Sequence, residues 1–169
     1  MLLWTDTAGP SCWRLLHYIA VTNNRCSDRT KEWKHNAIRS ILESVPCDSC
    51  RKEALRRWHG RTEGLELFLY NFHNDVNARL RYPPFPITSL GMYRDPKEIE
   101  RILTRDLFLT KIHSLRYGQT WFKDVFDKLL DRDQQQAYLR YETTAWKMIR
   151  EERQSFEDSV RRKILEITP

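Results

Sequence analysis

Two cysteines three residues apart, in Pro46-Cys47-Asp48-Ser49-Cys50, are the side chains of this 169-residue chain best placed to do chemistry. A pair at that spacing can close a small disulfide and exchange it with other thiols, or give two ligands to a metal ion. Proline disfavours helix in the residue before it and suits the first turn of the helix after it. Pro46 therefore places Cys47 and Cys50 in the first turn of a helix that runs through Leu55 to about Trp58. The free N–H groups and positive dipole end of such a turn stabilise a thiolate.

Four readings of the pair stand side by side. Zinc needs two more ligands, and the chain has neither a second close Cys pair nor two His residues three to five apart. A thioredoxin-like fold would put the pair after a β-strand, whereas Ile38 to Val45 reads as amphipathic helix. The third reading is two buried or incidental cysteines. The fourth is a redox pair that hands electrons to an acceptor held on an all-α scaffold.

The elements that must position the pair are helical. Ser11 is expected to cap a helix carrying Trp13, Leu16, His17 and Ala20 on one face to about Thr22, followed by a loop over 23–28. A second helix starts near Thr30 and buries Trp33, Ala37, Ile41 and Leu42. A connector from Gly60 to Gly64 leads to a fourth helix, Leu65 to Leu80, with Leu69, Phe72, Val76 and Leu80 on one face. His73 and Asn77, four apart, point to one side of it. The run Tyr82-Pro83-Pro84-Phe85-Pro86 stops that helix, and a linker-like stretch extends to about Asp95. Apolar positions from Ile99 to Phe156 keep helical spacing, and no strand-like alternation occurs. The expected fold is all-α: a bundle over 1–93 and a helical C-terminal extension over 94–169.

Composition narrows the function. Hydrophobic residues make up 40% and charged residues 31%, and no apolar run approaches a membrane span or a secretory signal, so a cytoplasmic protein is expected. The net charge of +6 is spread along the chain, and its densest run, Arg51 to Arg57, is broken by Glu53; nucleic-acid binding is not expected.

Three blocks carry a resemblance. Gly9-Pro10-Ser11-Cys12-Trp13-Arg14-Leu15-Leu16-His17, Pro46-Cys47-Asp48-Ser49-Cys50 and Phe72-His73-Asn74-Asp75-Val76-Asn77-Ala78-Arg79-Leu80 resemble the WxxLH, CxxC and HNxVNxxL motifs of the FAD-linked sulfhydryl oxidases of the Erv/augmenter of liver regeneration type. Order and spacing are similar over roughly residues 8–90, most like the versions encoded by large DNA viruses. The resemblance implies a four-helix bundle holding FAD against the cysteine pair, with Cys50 beside the flavin and Cys47 as the outer sulfur attacked by substrate. Trp13, His17, His73, Asn74, Val76 and Asn77 match residues that line the cofactor. Gly9 matches a close backbone approach, and Arg81 and Phe85 a basic and an aromatic contact. It further implies a thiol oxidase acting on thiol-containing proteins with O2 as acceptor, and a homodimer.

The alternative class is a non-enzymatic helical interaction protein with a structural or zinc-binding CxxC. The chain has no cysteine after Cys50, where many family members carry a shuttle pair. Substrates are therefore expected to dock directly at Cys47, or through a separate redox relay protein. Cys12 and Cys26, separated by a predicted helix, are expected about 20 Å apart, too far to bond within the chain. Cys12 is expected to pack as a small apolar residue, and Cys26 to be a free thiol or to bridge subunits. Residues 94–169 are expected to complete the packing, bury a dimer surface or dock substrate.

Overall fold

The computed structural model describes residues 8–22, 28–115 and 121–167, all helix, turn or connector without a strand; Cys26 lies outside them. Helix α1 (Ala8–Val21) begins before the expected cap. Ser11 lies inside it because Pro10 suits a first turn and the Ser11 hydroxyl is used elsewhere, donating to Asp106 Oδ1 at 2.9 Å. Helix α2 (Asp28–Glu43) buries Trp33, Ala37, Ile38, Ile41 and Leu42 as the periodicity requires.

Helix α3 (Asp48–Gly60) starts one residue later than expected, so Cys47 is its N-cap rather than a first-turn residue. Helix α4 (Leu65–Leu80) has the expected bounds. It ends where Arg81 turns left-handed (φ 60°, ψ 32°), and the prolines that follow forbid its continuation.

The expected linker is a packed element. Residues Ile87–Arg94 wind as a 3₁₀ stretch whose Tyr93 is 3% exposed. Leu90 and Tyr93, three apart, fall on one side of that tighter helix. Asp95 then caps α5 (Pro96–Arg101), accepting from the Lys97 and Glu98 N–H groups at 2.8 and 3.3 Å. The same helix runs on through a π turn at Ile102–Asp106 into α6 (Leu107–Leu115). The Leu107 N–H reaches back five residues to Ile102 O.

Helices α7 (Trp121–Leu129) and α8 (Arg132–Ile167) complete the chain. One hydrophobic core joins Leu15, Leu16 and Ile19 of α1 to Ile102, Leu103 and Leu107, and reaches Trp121, Val125 and Tyr138. Each buried aliphatic side chain there contributes about 1.5–3 kcal/mol, so the residues after 94 stabilise the part before it. Helix α8 is held at its start by Phe108, edge-on to Tyr141 and Trp146 at 5.8 and 5.5 Å, and by Lys111 Nζ on Glu142 Oε1 at 2.6 Å. Farther along, Met148 and Phe156 are exposed. Among the described residues no helix is long and apolar enough to cross a membrane.

A buried charge pins α1 to the π turn. The Asp106 side chain, 0% exposed, accepts from Arg14 Nε at 2.7 Å and Nη2 at 2.8 Å as well as from Ser11. Asp106→Ala leaves Arg14 and Ser11 without that partner and is expected to lower stability by about 3 kcal/mol in urea unfolding; a loss under about 1 kcal/mol would contradict the pairing. Truncation after residue 96 removes Ile102, Leu103 and Leu107 from the core, and the expected outcome is an insoluble or unfolded product by circular dichroism.

Candidate active site

The disulfide comes first. Cys47 and Cys50 are bonded to each other, with Cα atoms 5.1 Å apart, and both residues are exposed. As N-cap, Cys47 accepts the Cys50 N–H on its sulfur at 3.3 Å, and the Ser49 hydroxyl lies 3.3 Å from the same sulfur. The helix start thus offers donors to Cys47 before any partner arrives. Asp48 also sits in this turn, its carboxyl held below the usual carboxylate range chiefly by its bond to Lys52 at 2.8 Å, with Arg51 on its other side. Among the described residues no three metal-ligating side chains converge.

The second feature is a cleft of about 280 Å³ between the start of α1, the end of α4 and the segments after it. Its walls include Trp13, His73, Val76, Asn77, Leu80 and Phe85, with Gly9 at one edge. The rings form an ordered group. Trp13 stacks on His73 at 4.2 Å and 8°, and His73 stacks on Phe85 at 4.8 Å. His17 lies behind them, stacked on Phe85 at 5.0 Å and Tyr93 at 5.6 Å, with its Nε2 3.0 Å from His73 Nδ1. Burial lowers His17 to about 3, helped by His73, and lowers His73 to about 4, so both imidazoles are neutral near pH 7.

The sequence-predicted residues divide by this geometry. Gly9, Trp13, His73, Val76, Asn77 and Phe85 line the cleft, and His17 backs it. Asn74 is turned to the chain after α4: its Oδ1 accepts the Phe85 N–H at 2.7 Å and its Nδ2 donates to Phe85 O at 3.2 Å. It positions Phe85 rather than lining the cavity. Asn77 Nδ2 donates to Pro83 O at 3.2 Å, leaving its Oδ1 out of that bond. Arg81 is exposed and lines no part of the cleft; its left-handed backbone serves to end α4. Cys12 packs as a small apolar residue, its thiol pushed up to about 12 by burial.

Sequence reasoning missed Arg14, Tyr82, Tyr93 and Arg101, which also line the cleft. Tyr93 had a signal in its three-residue spacing from Leu90. Arg14 sat inside a recognised block, but its partner lies 92 residues away. Arg101 had no signal of its own.

Comparisons with known proteins bear on this arrangement. The sequence model of the Erv1 / Alr family matches residues 10–96, which contain the disulfide and most of the cleft. A candidate FAD-linked sulfhydryl oxidase of Invertebrate iridescent virus 3 is 35% identical over 98 residues, covering 52% of this chain and 66% of that protein, just under two thirds of its length. The FAD-linked sulfhydryl oxidase of a Malawi tick isolate of African swine fever virus is 37% identical over 140 residues, covering 76% of this chain and 100% of the relative. That of a Kenya pig isolate is 36% identical over 138 residues, with the same coverage. No solved structure matches the chain. The motif blocks, their helical setting and the extent of these matches together make the chain a member of the Erv1 / Alr family.

Proposed function

We propose that this chain is an FAD-dependent thiol oxidase that forms disulfides in thiol-containing proteins. One observation carries the reading: an exposed CxxC disulfide heads a helix whose hairpin partner forms the wall of an aromatic cleft. Trp58 of α3 meets Phe68 of α4 edge-on at 5.6 Å, and Arg57 pairs with Asp75 and lies 5.8 Å over the Phe72 ring. This antiparallel register means that stepping back along α3 from Trp58 toward Cys50 runs parallel to stepping forward along α4 from Phe68 toward Val76 and Asn77.

The cleft fits the ring portion of FAD in kind. Its walls are flat rings and aliphatic side chains, and Asn77 Oδ1 and the His73 edge give polar contacts. At about 280 Å³ it is small for a ligand pocket and suits a fused ring better than a whole dinucleotide, whose remainder would lie outside it. Trp13, His73, Val76, Asn77 and Phe85 would hold the ring, with His17 and Asn74 supporting His73 and Phe85. When bound, FAD would supply a two-electron acceptor for the reduced cysteine pair and a route onward to O2, with hydrogen peroxide as the product.

The residues of the chain perform the thiol steps. A substrate thiolate attacks Cys47 Sγ; the Cys47–Cys50 bond breaks and its electron pair leaves on Cys50 Sγ. The substrate's second thiol then attacks its own sulfur in the mixed disulfide and expels Cys47 as thiolate. The Cys50 N–H that meets Cys47 Sγ at 3.3 Å and the start of α3 stabilise that leaving group. The substrate dithiol is oxidised to a disulfide and the cysteine pair is reduced. Exposure of both cysteines supports direct docking of a protein thiol or relay, in keeping with the lack of cysteine after Cys50.

Oxygen uptake by the purified yellow protein with dithiothreitol tests this reading. Uptake is expected in the unsubstituted chain, while Cys50→Ser keeps the flavin band at about 450 nm and loses turnover. A chain that takes up no oxygen with added FAD would overturn the proposal. Asn74→Ala frees the backbone of Phe85 and is expected to weaken FAD binding about tenfold, read by fluorescence on flavin release; an unchanged affinity would contradict its positioning role.

A further inference from the structure

His17 and His73 share one hydrogen bond, and its direction decides what the cleft wall offers a ligand. The contact is 3.0 Å from His17 Nε2 to His73 Nδ1, so one of these nitrogens carries the proton. His17 is 0% exposed, and its other nitrogen, Nδ1, is buried without a partner. If His73 donated, His17 would accept on Nε2 and carry its own proton on Nδ1, burying an unpaired N–H. If His17 donates, the orphan is only a lone pair. Buried N–H groups without a partner are rarer in folded proteins than under-used acceptors. The donating arrangement also puts both imidazoles in the Nε2–H tautomer, which a neutral histidine prefers intrinsically.

Trp13 at 4.2 Å and Phe85 at 4.8 Å both stack on His73, so the ring can meet a polar ligand only at its edge. Its Nδ1 is turned to His17, and the ring itself lines the cleft. We infer that His17 is a positioning residue that fixes His73 as an Nε2–H donor, so the cleft wall recognises a hydrogen-bond acceptor on the edge of a bound planar ring. The low proton affinities of both rings, lowered by burial, are consistent with a neutral pair. The flavin assignment enters only in naming that acceptor as an edge oxygen or nitrogen of the ring system; the proton's position on His73 rests on the histidine geometry alone. His17 reaches the ligand through His73, since it is not among the cleft's lining residues.

The test is a long-range ¹H–¹⁵N spectrum of the full chain, isolated with its flavin and labelled at histidine, at neutral pH. The expected result is a His73 ring protonated at Nε2 and unprotonated at Nδ1. A His73 Nδ1–H, or an imidazolium, overturns the inference while leaving the thiol-oxidase reading untouched. Failure to bind flavin would defeat that reading, but the tautomer measurement on the same chain would still decide this one. A pair of variants supplies a second readout. His17→Leu removes the donor and is expected to weaken FAD binding about tenfold, whereas His17→Gln, whose amide N–H can reach His73 Nδ1, is expected to restore most of it. Equal affinities for the Leu and Gln variants would count against His17 as the donor. If His17→Leu does not fold, the spectrum of the unsubstituted chain decides alone.

Discussion

One buried carboxylate organises the start of the chain. Asp106 has no access to solvent and answers three donors, two from Arg14 and one from Ser11. An ionised group so buried is tolerated only where charge and hydrogen bonds meet it, so α1 has one azimuth and one height against the π turn. That single placement sets both faces of α1. Leu15, Leu16 and Ile19 enter the core, while Trp13 turns to the cleft and His17 stands behind it. The π turn ends at that same Asp106, with its Ile102 and Leu103 buried. The segment after residue 96, outside the family match, therefore holds the matched segment in shape.

The cleft and the disulfide have opposite characters, and the proposed chemistry uses both. The cleft holds a stack of rings that includes the neutral His73 imidazole, a setting that favours a flat conjugated ligand. The disulfide sits in the open at a helix start, where a protein thiol can reach it and where N–H donors favour the sulfur that must leave as thiolate. A buried pair would be shielded from protein substrates, and a solvent-exposed ring would lose the stacking that holds it.

Much of this was legible in the sequence because local rules dominate there. The apolar periodicity fixed which face of α2 is buried. On α4 it found Leu69 and Phe72 but missed Phe68, and Leu80 at the end of the expected stripe is exposed, while the four-residue spacing of His73 and Asn77 brought both to the cleft. Helix starts were less legible. Ser11 is a good capping residue that tertiary bonding to Asp106 takes inside a helix, and Cys47 caps α3 through its sulfur, a role that residue preferences do not advertise. The segment 87–94 read as a linker because a 3₁₀ winding has neither the helical nor the strand period. Motif position also gave no sign that Arg81 takes the left-handed turn that ends α4, outside the cleft lining. Arg14 with Asp106, 92 residues apart, lay beyond any local rule.

The central claim is that electrons from a thiol reach the flavin only through the Cys47–Cys50 pair. Anaerobic titration of the flavin-loaded full chain with dithiothreitol, followed at about 450 nm, tests it most directly. Bleaching is expected to be complete within about two equivalents of dithiol per flavin in the unsubstituted chain, and not to occur on the same timescale in Cys50→Ser. Bleaching equally fast without Cys50 would contradict the account.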